Sequence, residues 1–296
     1  MQVRRLLVAL ATLFAAFPAE AQGPGPRLDV VDPTWLAGRL GDPGVVVLHV
    51  THNGEEFRKG HVPGAREIPY DDIGGARGTL TRELPDPDRF RATLERLGVS
   101  DNSTIVVYAH EAPMATRLIF TLAYLGLGDI AYLDGGLDRW RAERRDVSRA
   151  VPPTVQPGRI TRALRPQVVA DAEYVQARIG RPGLSLVDTR TTGEYVGAGN
   201  RSGMPSAGHL AGARQLEWEE LFADGSLRLK PRAELEALFR ARVTPGDSVV
   251  TYCWVGYRAS ATWFVASLLG YETRMYDGSY QDWSQRNLPT RAGSTP

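Results

Sequence analysis

A single cysteine, Cys253, is the most reactive side chain of the 296-residue sequence. It directly follows a predicted strand over residues 248–252, and a predicted helix begins near Ala259. Backbone amides at a helix start carry partial positive charge and Arg258 adds a full charge, so this loop favours the thiolate over the thiol. Settings of this kind lower cysteine pKa values to roughly 3.5–7.5. Gly256 lets the loop turn tightly. A buried structural cysteine is the alternative, but the place between strand and helix favours a nucleophile.

The rest of the composition limits the chemistry further. One cysteine excludes an internal disulfide framework and any multi-cysteine zinc or iron–sulfur site. His49, His52 and His110 lack metal-ligating company in the sequence, so we expect surface or packing roles for them and no metal site. Lys and Arg total 35 against 34 Asp and Glu, which gives no bulk positive field for nucleic acid. A hydrophobic fraction of 43% is typical of a folded chain.

The elements that position Cys253 occur twice. In both copies a β-branched run leads to a tyrosine, Tyr108 or Tyr252, and an apolar helical stretch ending in Leu-Gly follows. Ala109 stands where Cys253 stands in the second copy. A period of about 144 residues is far longer than a solenoid repeat, so each copy is predicted to be a whole domain. Further matches follow in the same order: Gly60-His61 with Gly208-His209, Asp134-Gly135 with Asp277-Gly278, and Trp140 with Trp283.

Strands alternate with helices in both copies. The apolar strand runs do not alternate with polar residues, so they suit a sheet covered on both faces. The pattern predicts an α/β fold with a mostly parallel sheet in each copy. The Asp32-Pro33 and Asp86-Pro87 pairs open helices with a capping residue and a first-turn proline. Strands are predicted over 45–50, 105–108, 184–188 and 248–252, and helices over 86–97, 172–179 and 231–242.

Residues 1–21 have the composition of an export signal peptide. Arg4 and Arg5 precede an apolar run over 6–17, and Ala19-Glu20-Ala21 offers a small-x-small cleavage site. A membrane anchor is the weaker alternative, because this run is too short for a bilayer of about 30 Å. We therefore expect a periplasmic or secreted protein with no membrane segment after signal removal.

Four segments are predicted along the chain. Residues 28–145 and 168–290 form the two domains after the signal over 1–21. Residues 146–167 carry several prolines with basic residues between them and are predicted to be an extended linker. The alternative is an ordered strap that packs along the second domain.

The motifs resemble those of a tandem rhodanese-type sulfurtransferase. The resemblance rests on the His61 and His209 segments, the late Asp-Gly pairs and the Cys-x4-Arg loop that begins at Cys253, and it spans residues 28–290. It implies two tandem rhodanese-like domains, each a mostly parallel sheet flanked by helices. It also implies that the first domain, with Ala109 in place of the thiol, is catalytically inactive. No metal or organic cofactor is implied.

The resemblance further implies a ping-pong transferase reaction. The Cys253 thiolate takes the sulfane sulfur of thiosulfate, sulfite leaves, and the resulting persulfide passes its sulfur to cyanide or a thiol acceptor. The implied partners are thus a small anionic donor and one of these acceptors, and the sequence is compatible with a monomer. The loop amides are expected to hold the persulfide, and Arg258 to attract the donor. The implied substrate-binding residues are Arg190, Trp254, Val255, Gly256, Tyr257 and Arg258.

The loop sequence favours thiosulfate as the donor. Relatives that prefer 3-mercaptopyruvate resemble Cys-Gly-Ser/Thr-Gly here, whereas this chain has Trp254 and Val255. Mercaptopyruvate sulfurtransferase therefore stays an alternative. Glu194 occupies the place of a second substrate-contacting arginine in mammalian-type members. A carboxylate there repels an anionic donor unless it is paired.

Other side chains have two interpretations each. Arg190 binds the donor or, the favoured view, forms a fixed ion pair with Asp188 or Glu194. His209 is expected to stabilise a turn rather than act as a base, because His61 holds the same place in the inactive copy. Trp218, Trp254 and Tyr257 could form an apolar wall near the sulfur, whereas Trp140 and Trp283 are expected to pack in the core. The stretch 195–208 is either a mobile flap or a passive insertion.

Two rival functions remain from other classes. Cysteine-dependent phosphatases resemble Cys-x5-Arg, which is one residue longer than the loop from Cys253 to Arg258. A non-catalytic anion- or sulfur-binding module is the other rival, because Ala109 shows that one copy already lacks its nucleophile. The retained Cys253 and Arg258 favour the enzyme.

Overall fold

The computed structural model describes residues 25–152, 154–198, 207–223 and 225–296. The predicted signal over 1–21 lies outside the described residues, and so does most of the predicted flap, residues 199–206. Within the described part of the chain, no helix has the length and apolar character needed to cross a membrane.

The N-terminal domain is built on a five-stranded sheet. Its strands are hydrogen-bonded in the order β1-β7-β6-β2-β3, and every pair is parallel. The short strands β4 and β5 form a separate antiparallel pair. The elements are β1 (Arg27–Val31), α1 (Pro33–Ala37), β2 (Val45–Thr51), α2 (Gly54–Lys59), β3 (Arg66–Pro69), β4 (Gly75–Arg77), β5 (Leu80–Glu83), α3 (Pro87–Arg96), β6 (Thr104–Ala109), α4 (Ala112–Tyr124), β7 (Asp129–Leu133) and α5 (Gly136–Ala142).

The C-terminal domain repeats this sheet. Its parallel strands run in the order β8-β13-β12-β9-β11, which matches the first sheet strand for strand. The fold is therefore α/β with two parallel sheets flanked by helices, as the repeat predicted. The elements are β8 (Val169–Ala170), α6 (Ala172–Gln176), β9 (Leu184–Asp188), α7 (Thr192–Val196), β10 (His209–Leu210), β11 (Arg214–Gln215), α8 (Arg232–Arg240), β12 (Ser248–Tyr252), α9 (Ala259–Leu268), β13 (Thr273–Tyr276), α10 (Ser279–Gln285) and β14 (Thr290–Arg291).

The two copies share hydrogen bonds as well as topology. Tyr108 at the end of β6 accepts a hydrogen bond from the Val62 amide at 3.0 Å, and Tyr252 at the end of β12 accepts one from the Leu210 amide at 3.1 Å. The residue after each tyrosine is therefore equivalent. Ala109 occupies in the first domain the place that Cys253 occupies in the second.

Local sequence signals set the helix boundaries. The Asp32 side chain accepts the Trp35 amide at 2.7 Å and starts α1, and Asp86 accepts the Arg89 amide at 2.9 Å and starts α3. Both helices have proline in the first turn, where its missing N–H costs nothing. The predicted helix over 172–179 ends earlier, with α6 stopping at Gln176.

The domains join through one shared apolar core. Helix α4 packs against α9, and the rings of Phe120 and Trp263 meet edge to face with centroids 5.0 Å apart. A hydrogen bond of 2.8 Å between the hydroxyls of Thr116 and Ser260 crosses the same contact. These helices follow β6 and β12, so the interface brings together the two strand-to-helix loops.

Residues 154–167, in the segment between the domains, pack on the first domain. The Gly158 amide donates to the Glu95 carbonyl at 2.8 Å, and the Asp101 amide donates to the Arg159 carbonyl at 3.1 Å. A side chain at Gly158 would lie 2.0 Å from the Val99 carbonyl oxygen, so only glycine fits there. The alternative of a strap along the second domain is therefore wrong about which domain it contacts.

Candidate active site

Cys253 lies where the sequence predicts, between β12 and α9. Strand β12 is in the middle of the sheet, and α9 begins at Ala259. The side chain has no exposed surface, so in this conformation the thiol is closed to small anions. Cys253 is part of the apolar core that both domains share, and Tyr70 and residues of α4 belong to the same core.

Tyr70, in the N-terminal domain, interacts electrostatically with Cys253. The pKa of Tyr70 is raised to about 12, mainly by burial; the charges of Arg82 and Arg117 oppose this rise, and negative charge on Cys253 adds to it. The Tyr70 ring contacts the Tyr257 ring edge to face, with centroids 5.3 Å apart. The reactive loop therefore faces the first domain.

Ser279, the first residue of α10, holds two of the loop amides. The Ser279 hydroxyl oxygen accepts the Gly256 amide at 3.0 Å and the Cys253 amide at 3.3 Å, and it donates to the Tyr276 carbonyl at 2.7 Å. These two amides were expected to point at the sulfur. In this conformation both amides donate to the Ser279 hydroxyl instead.

The backbone at Ser279 supports a specific role for its hydroxyl. Ser279 has a φ of 53°, a conformation that costs a non-glycine residue free energy. The equivalent residue of the first domain is Gly136, with a φ of 55°. The second domain therefore keeps a strained serine where glycine satisfies the same backbone.

Gly256 is fixed by a cross-domain contact. Its φ is 73°, and a Cβ there would lie 2.8 Å from the Asp277 carbonyl oxygen and 2.9 Å from Arg117 Nη1. Arg117, on α4 of the first domain, donates to the Gly256 carbonyl at 3.3 Å and forms a buried ion pair with Asp277. The domain without a thiol thus supplies the cation that anchors the loop.

Arg258 is paired with Glu194. The guanidinium donates to both carboxylate oxygens, at 2.8 and 3.0 Å, in a largely buried pair. Burial alone would raise the pKa of Glu194, but the hydrogen bonds and charge of Arg258 lower it to about 2. The repulsion expected from Glu194 is therefore neutralised, and so is part of the attraction expected from Arg258.

The other loop residues divide between two sides. Tyr257 is directed to the first domain, where its hydroxyl donates to Glu111 Oε2 at 2.7 Å. Burial and then this hydrogen bond raise the pKa of Tyr257, so it remains a phenol. Trp254 is buried and stacks on Tyr280 with centroids 5.6 Å apart, and Val255 packs against the same cluster. These two side chains belong to the core of the second domain, not to a wall beside the sulfur.

Arg190 forms the ion pair that was the favoured interpretation. Its guanidinium contacts both oxygens of Asp188, with Nη2 to Oδ2 at 2.6 Å, and donates to the Gly208 carbonyl at 2.7 Å. The side chain is 1% exposed and lies over the Tyr280 ring. In this conformation Nε and Nη2 donate to protein groups, so the contacts of Arg190 do not support a substrate-binding role.

The equivalent histidines have equivalent packing. His61 stacks on Phe57 and His209 stacks on Tyr195, each with centroids 3.8 Å apart. In each pair the histidine Nδ1 bonds to the backbone carbonyl of its stacking partner, at 3.0 and 2.9 Å. Trp140 and Trp283 are likewise buried in both domains. These residues stabilise the two copies in the same way.

Two further features lie at the domain interface. Trp218 lines a cavity of about 700 Å³ with His110, Phe222 and Leu227, away from the position expected beside the sulfur. His52, His110 and Glu111 place possible metal-ligating atoms within 4.8 Å of one another. The expectation that these histidines lack metal-ligating company is therefore wrong, because β2 and β6 end side by side.

Sequence reasoning missed Ser279, Arg117 and Asp277. Asp277 was noted only as part of a repeated Asp-Gly pair. The repeat also aligns Ser279 with Gly136, and that difference is a signal, since the hydroxyl occurs only in the copy with a thiol. Nothing in the sequence pairs Arg117 with a residue 160 positions away.

Comparison with known proteins agrees with the geometry. The rhodanese-like domain family matches this chain twice, at residues 32–143 and 171–286. A thiosulfate sulfurtransferase of Corynebacterium glutamicum is 34% identical over 297 residues, covering 96% of this chain and 97% of that protein. One of Pseudomonas aeruginosa is 33% identical over 257 residues, covering 86% and 93%. The solved structure of YnjE, at 24% identity, superposes with a TM-score of 0.81 over 90% of this chain and 68% of that one.

The chain therefore belongs to the rhodanese family, with the rhodanese-like domain present twice. It is a sulfurtransferase. The resemblance in the sequence is confirmed at this level, and so is the predicted fold.

Proposed function

We propose that this sulfurtransferase moves the sulfane sulfur of thiosulfate to cyanide or a thiol acceptor through a persulfide on Cys253. The observation that carries the proposal is that Cys253, the one thiol of the chain, directly follows the central strand β12 in the loop that leads to α9. A persulfide has no other residue on which to form. Two relatives whose length is matched almost completely are thiosulfate sulfurtransferases.

The reaction consists of two displacements at sulfur. The Cys253 thiolate attacks the outer sulfur of thiosulfate, a new S–S bond forms, and the old S–S bond breaks with its electron pair on departing sulfite. Cyanide or a thiolate then attacks the outer sulfur of the persulfide. The Cys253 thiolate leaves, which restores the enzyme without any external oxidant or reductant.

The surrounding residues have separate tasks in this scheme. Ser279 and Arg117 hold the loop in one shape through the Gly256 amide and carbonyl. The loop amides beyond those two are the donors proposed to stabilise the persulfide anion. Arg258 is proposed to interact with both Glu194 and the anionic donor. Glu194 then weakens anion binding, although it also holds the Arg258 side chain in position.

Access to the sulfur requires a movement that the contacts identify. Cys253 is covered in the same core as Tyr70, and Tyr257 packs against that core. Tyr257 is only partly buried and is held to Glu111 by one hydrogen bond. We infer that donor entry displaces the Tyr257 ring from Tyr70.

The first test is a single turnover with thiosulfate and no acceptor. The expected products are one sulfite per chain and a protein heavier by one sulfur atom, which adding cyanide removes as thiocyanate. Cys253→Ser is the matched control and is expected to keep its far-ultraviolet circular dichroism while releasing no sulfite. Sulfite release by Cys253→Ser, or wild-type protein that gains no sulfur, would contradict the proposal.

Steady-state kinetics with thiosulfate and 3-mercaptopyruvate side by side test the choice of donor. The loop with Trp254 and Val255 favours thiosulfate, so kcat/KM is expected to be higher for it. A higher value for mercaptopyruvate would assign the same Cys253 persulfide chemistry to the other donor. A para-nitrophenyl phosphate assay addresses the phosphatase alternative and is expected to show no turnover.

The remaining expectations from the sequence also stand as proposals. Residues 1–21 are proposed to direct export to the periplasm or medium, on the strength of the Arg4-Arg5 start and the apolar run. The domain limits 28–145 and 168–290 rest on the repeat and on the order of the strands. The mature chain is proposed to act as a monomer, which sedimentation of the purified protein checks.

A further inference from the structure

A group of metal-ligating side chains lies on the first domain beside the reactive loop. His52 follows β2, and His110 and Glu111 follow β6, the strand that ends at the inactive position Ala109. Their ligating atoms all lie within 4.8 Å of one another, and the three residues are exposed. The ring centroids of His52 and His110 are 5.1 Å apart.

The partners of His110 fix which nitrogen faces the group. Glu56 Oε2 lies 3.2 Å from His110 Nδ1, so the carboxylate accepts the proton on that nitrogen. His110 Nε2 then presents its lone pair toward Glu111 Oε1, which lies 3.6 Å away. A carboxylate behind a histidine in this way is the usual outer support of a metal-binding imidazole.

Glu111 is supported in the same manner. Its Oε2 accepts the hydroxyl proton of Tyr257 at 2.7 Å, which leaves Oε1 on the side of His110. Ligating carboxylates in metal sites are themselves hydrogen-bonded by outer groups. The group therefore contains three ligand candidates and two residues, Glu56 and Tyr257, that orient them.

The spacing fits a small transition-metal ion. Zinc binds imidazole nitrogen and carboxylate oxygen at about 2.0–2.2 Å, and tetrahedral angles then place two such ligand atoms about 3.3 Å apart. The separation of 3.6 Å between His110 Nε2 and Glu111 Oε1 needs only a small side-chain adjustment. Two imidazoles and one carboxylate leave a fourth position for water.

We propose that His52, His110 and Glu111 form a zinc-class divalent metal site, with Glu56 and Tyr257 as its outer supports. The site goes beyond sulfur transfer, since the proposed displacements at Cys253 use none of its three ligands. It joins the end of β2 and the start of α4 to Tyr257 of the reactive loop. Bound metal would thereby reduce the freedom of Tyr257.

The test uses zinc as the probe and the untagged full-length chain in the Cys253→Ser background, which removes the thiol as a competing ligand. Isothermal titration calorimetry is expected to show one saturable site with a Kd below about 10 μM. His52→Gln and His110→Gln are each expected to weaken zinc binding by at least tenfold, as about 10- to 100-fold losses follow even from outer-support changes. Glu55→Gln is the matched control, because Glu55 is an exposed carboxylate near Glu56 that pairs with Lys59 outside the group.

X-ray absorption at the zinc edge gives a second readout that does not depend on the variants. Two imidazole nitrogens and light oxygen scatterers at about 2.0–2.2 Å are expected. The absence of a saturable site, unchanged affinity in both histidine variants, or a spectrum without imidazole scattering would each overturn the proposal. None of these results bears on sulfite release from thiosulfate, so the two proposals fail separately.

Discussion

Replacing Arg258 with alanine tests whether this residue serves the fold, the donor or both. The change removes the guanidinium that holds both oxygens of Glu194 at 2.8 and 3.0 Å. The carboxylate stays in a site where its side chain is only 11% exposed. We expect Arg258→Ala to lower both the free energy of unfolding and kcat/KM for thiosulfate.

The pKa of Glu194 sets the size of the stability effect. Burial opposes ionisation, yet the pairing with Arg258 lowers the pKa from 4.5 to about 2. At about 1.4 kcal/mol per pKa unit this corresponds to about 3 kcal/mol, and contact of both side chains with solvent reduces the expected loss to about 2 kcal/mol at pH 7. Because a lowered carboxyl pKa stabilises the fold above the unfolded value, this contribution is lost as pH falls from 4.5 toward 2.

Urea unfolding and the thiosulfate–cyanide assay together separate the two roles. The double variant Glu194→Gln/Arg258→Ala leaves no unpaired carboxylate at this site. It is therefore expected to regain more than half of the lost stability and none of the lost kcat/KM. An Arg258→Ala variant that loses under about 0.5 kcal/mol would refute the reasoning from the ion pair. A double variant with restored turnover would show that Arg258 acts only by neutralising Glu194.

Three further changes address the rest of the site. Gly256→Ala is expected to cost about 2–3 kcal/mol and most of the activity, because a Cβ at φ 73° meets the Asp277 carbonyl; urea unfolding and the transfer assay measure this. Ser279→Ala removes the acceptor of two loop amides and should cost about 1–3 kcal/mol, whereas Ser279→Gly should recover about 1 kcal/mol by relieving the positive φ. Burial and Asp277 raise the pKa of Glu83 to about 7. The wild type should therefore lose about 2 kcal/mol of stability from pH 5 to pH 8, as the folded state gives up the proton on Glu83. Glu83→Gln should flatten this pH dependence.

Two of these changes have a comparison or an outcome that would contradict them. Gly270 also has a positive φ, of 90°, but nothing lies near its missing Cβ, so Gly270→Ala isolates the backbone strain. Equal losses at Gly256 and Gly270 would mean that the contact with Asp277 is unimportant. The urea unfolding midpoint of wild type and of Glu83→Gln is measured at each pH. The same pH profile in both proteins would contradict the raised pKa of Glu83.

Local signals in the sequence were sufficient for the framework. Tyr252, Cys253 and Ala259 stand where the β-branched run and the apolar helical stretch predicted the end of a strand, a loop and the start of a helix. The repeat correctly equated Ala109 with Cys253, because each follows a tyrosine that accepts an amide hydrogen bond in its domain. Periodicity and internal repetition depend on neighbours in the chain, so one sequence contains them.

Pairings across the interface were beyond the same reasoning. Arg117 with Asp277 and Tyr257 with Glu111 join residues far apart in the chain, and nothing local indicates such partners. The complete burial of Cys253 was not predicted for the same reason, since the apolar core that contains it includes residues of the other domain. The packing of Trp254 away from the sulfur follows from the direction in which the loop leaves β12, which residue types do not determine.

The ion pair between Arg117 and Asp277 makes the second domain dependent on the first. A gene that encoded only the second half would leave the Asp277 carboxylate inside an apolar contact surface without its counter-charge, and the Gly256 carbonyl without its donor. The surface of α9 that α4 covers would also face water. The first domain, which has Ala109 in place of the cysteine, thus supplies the groups that hold the loop of the second domain, so a change on either side of this interface needs a matching change on the other.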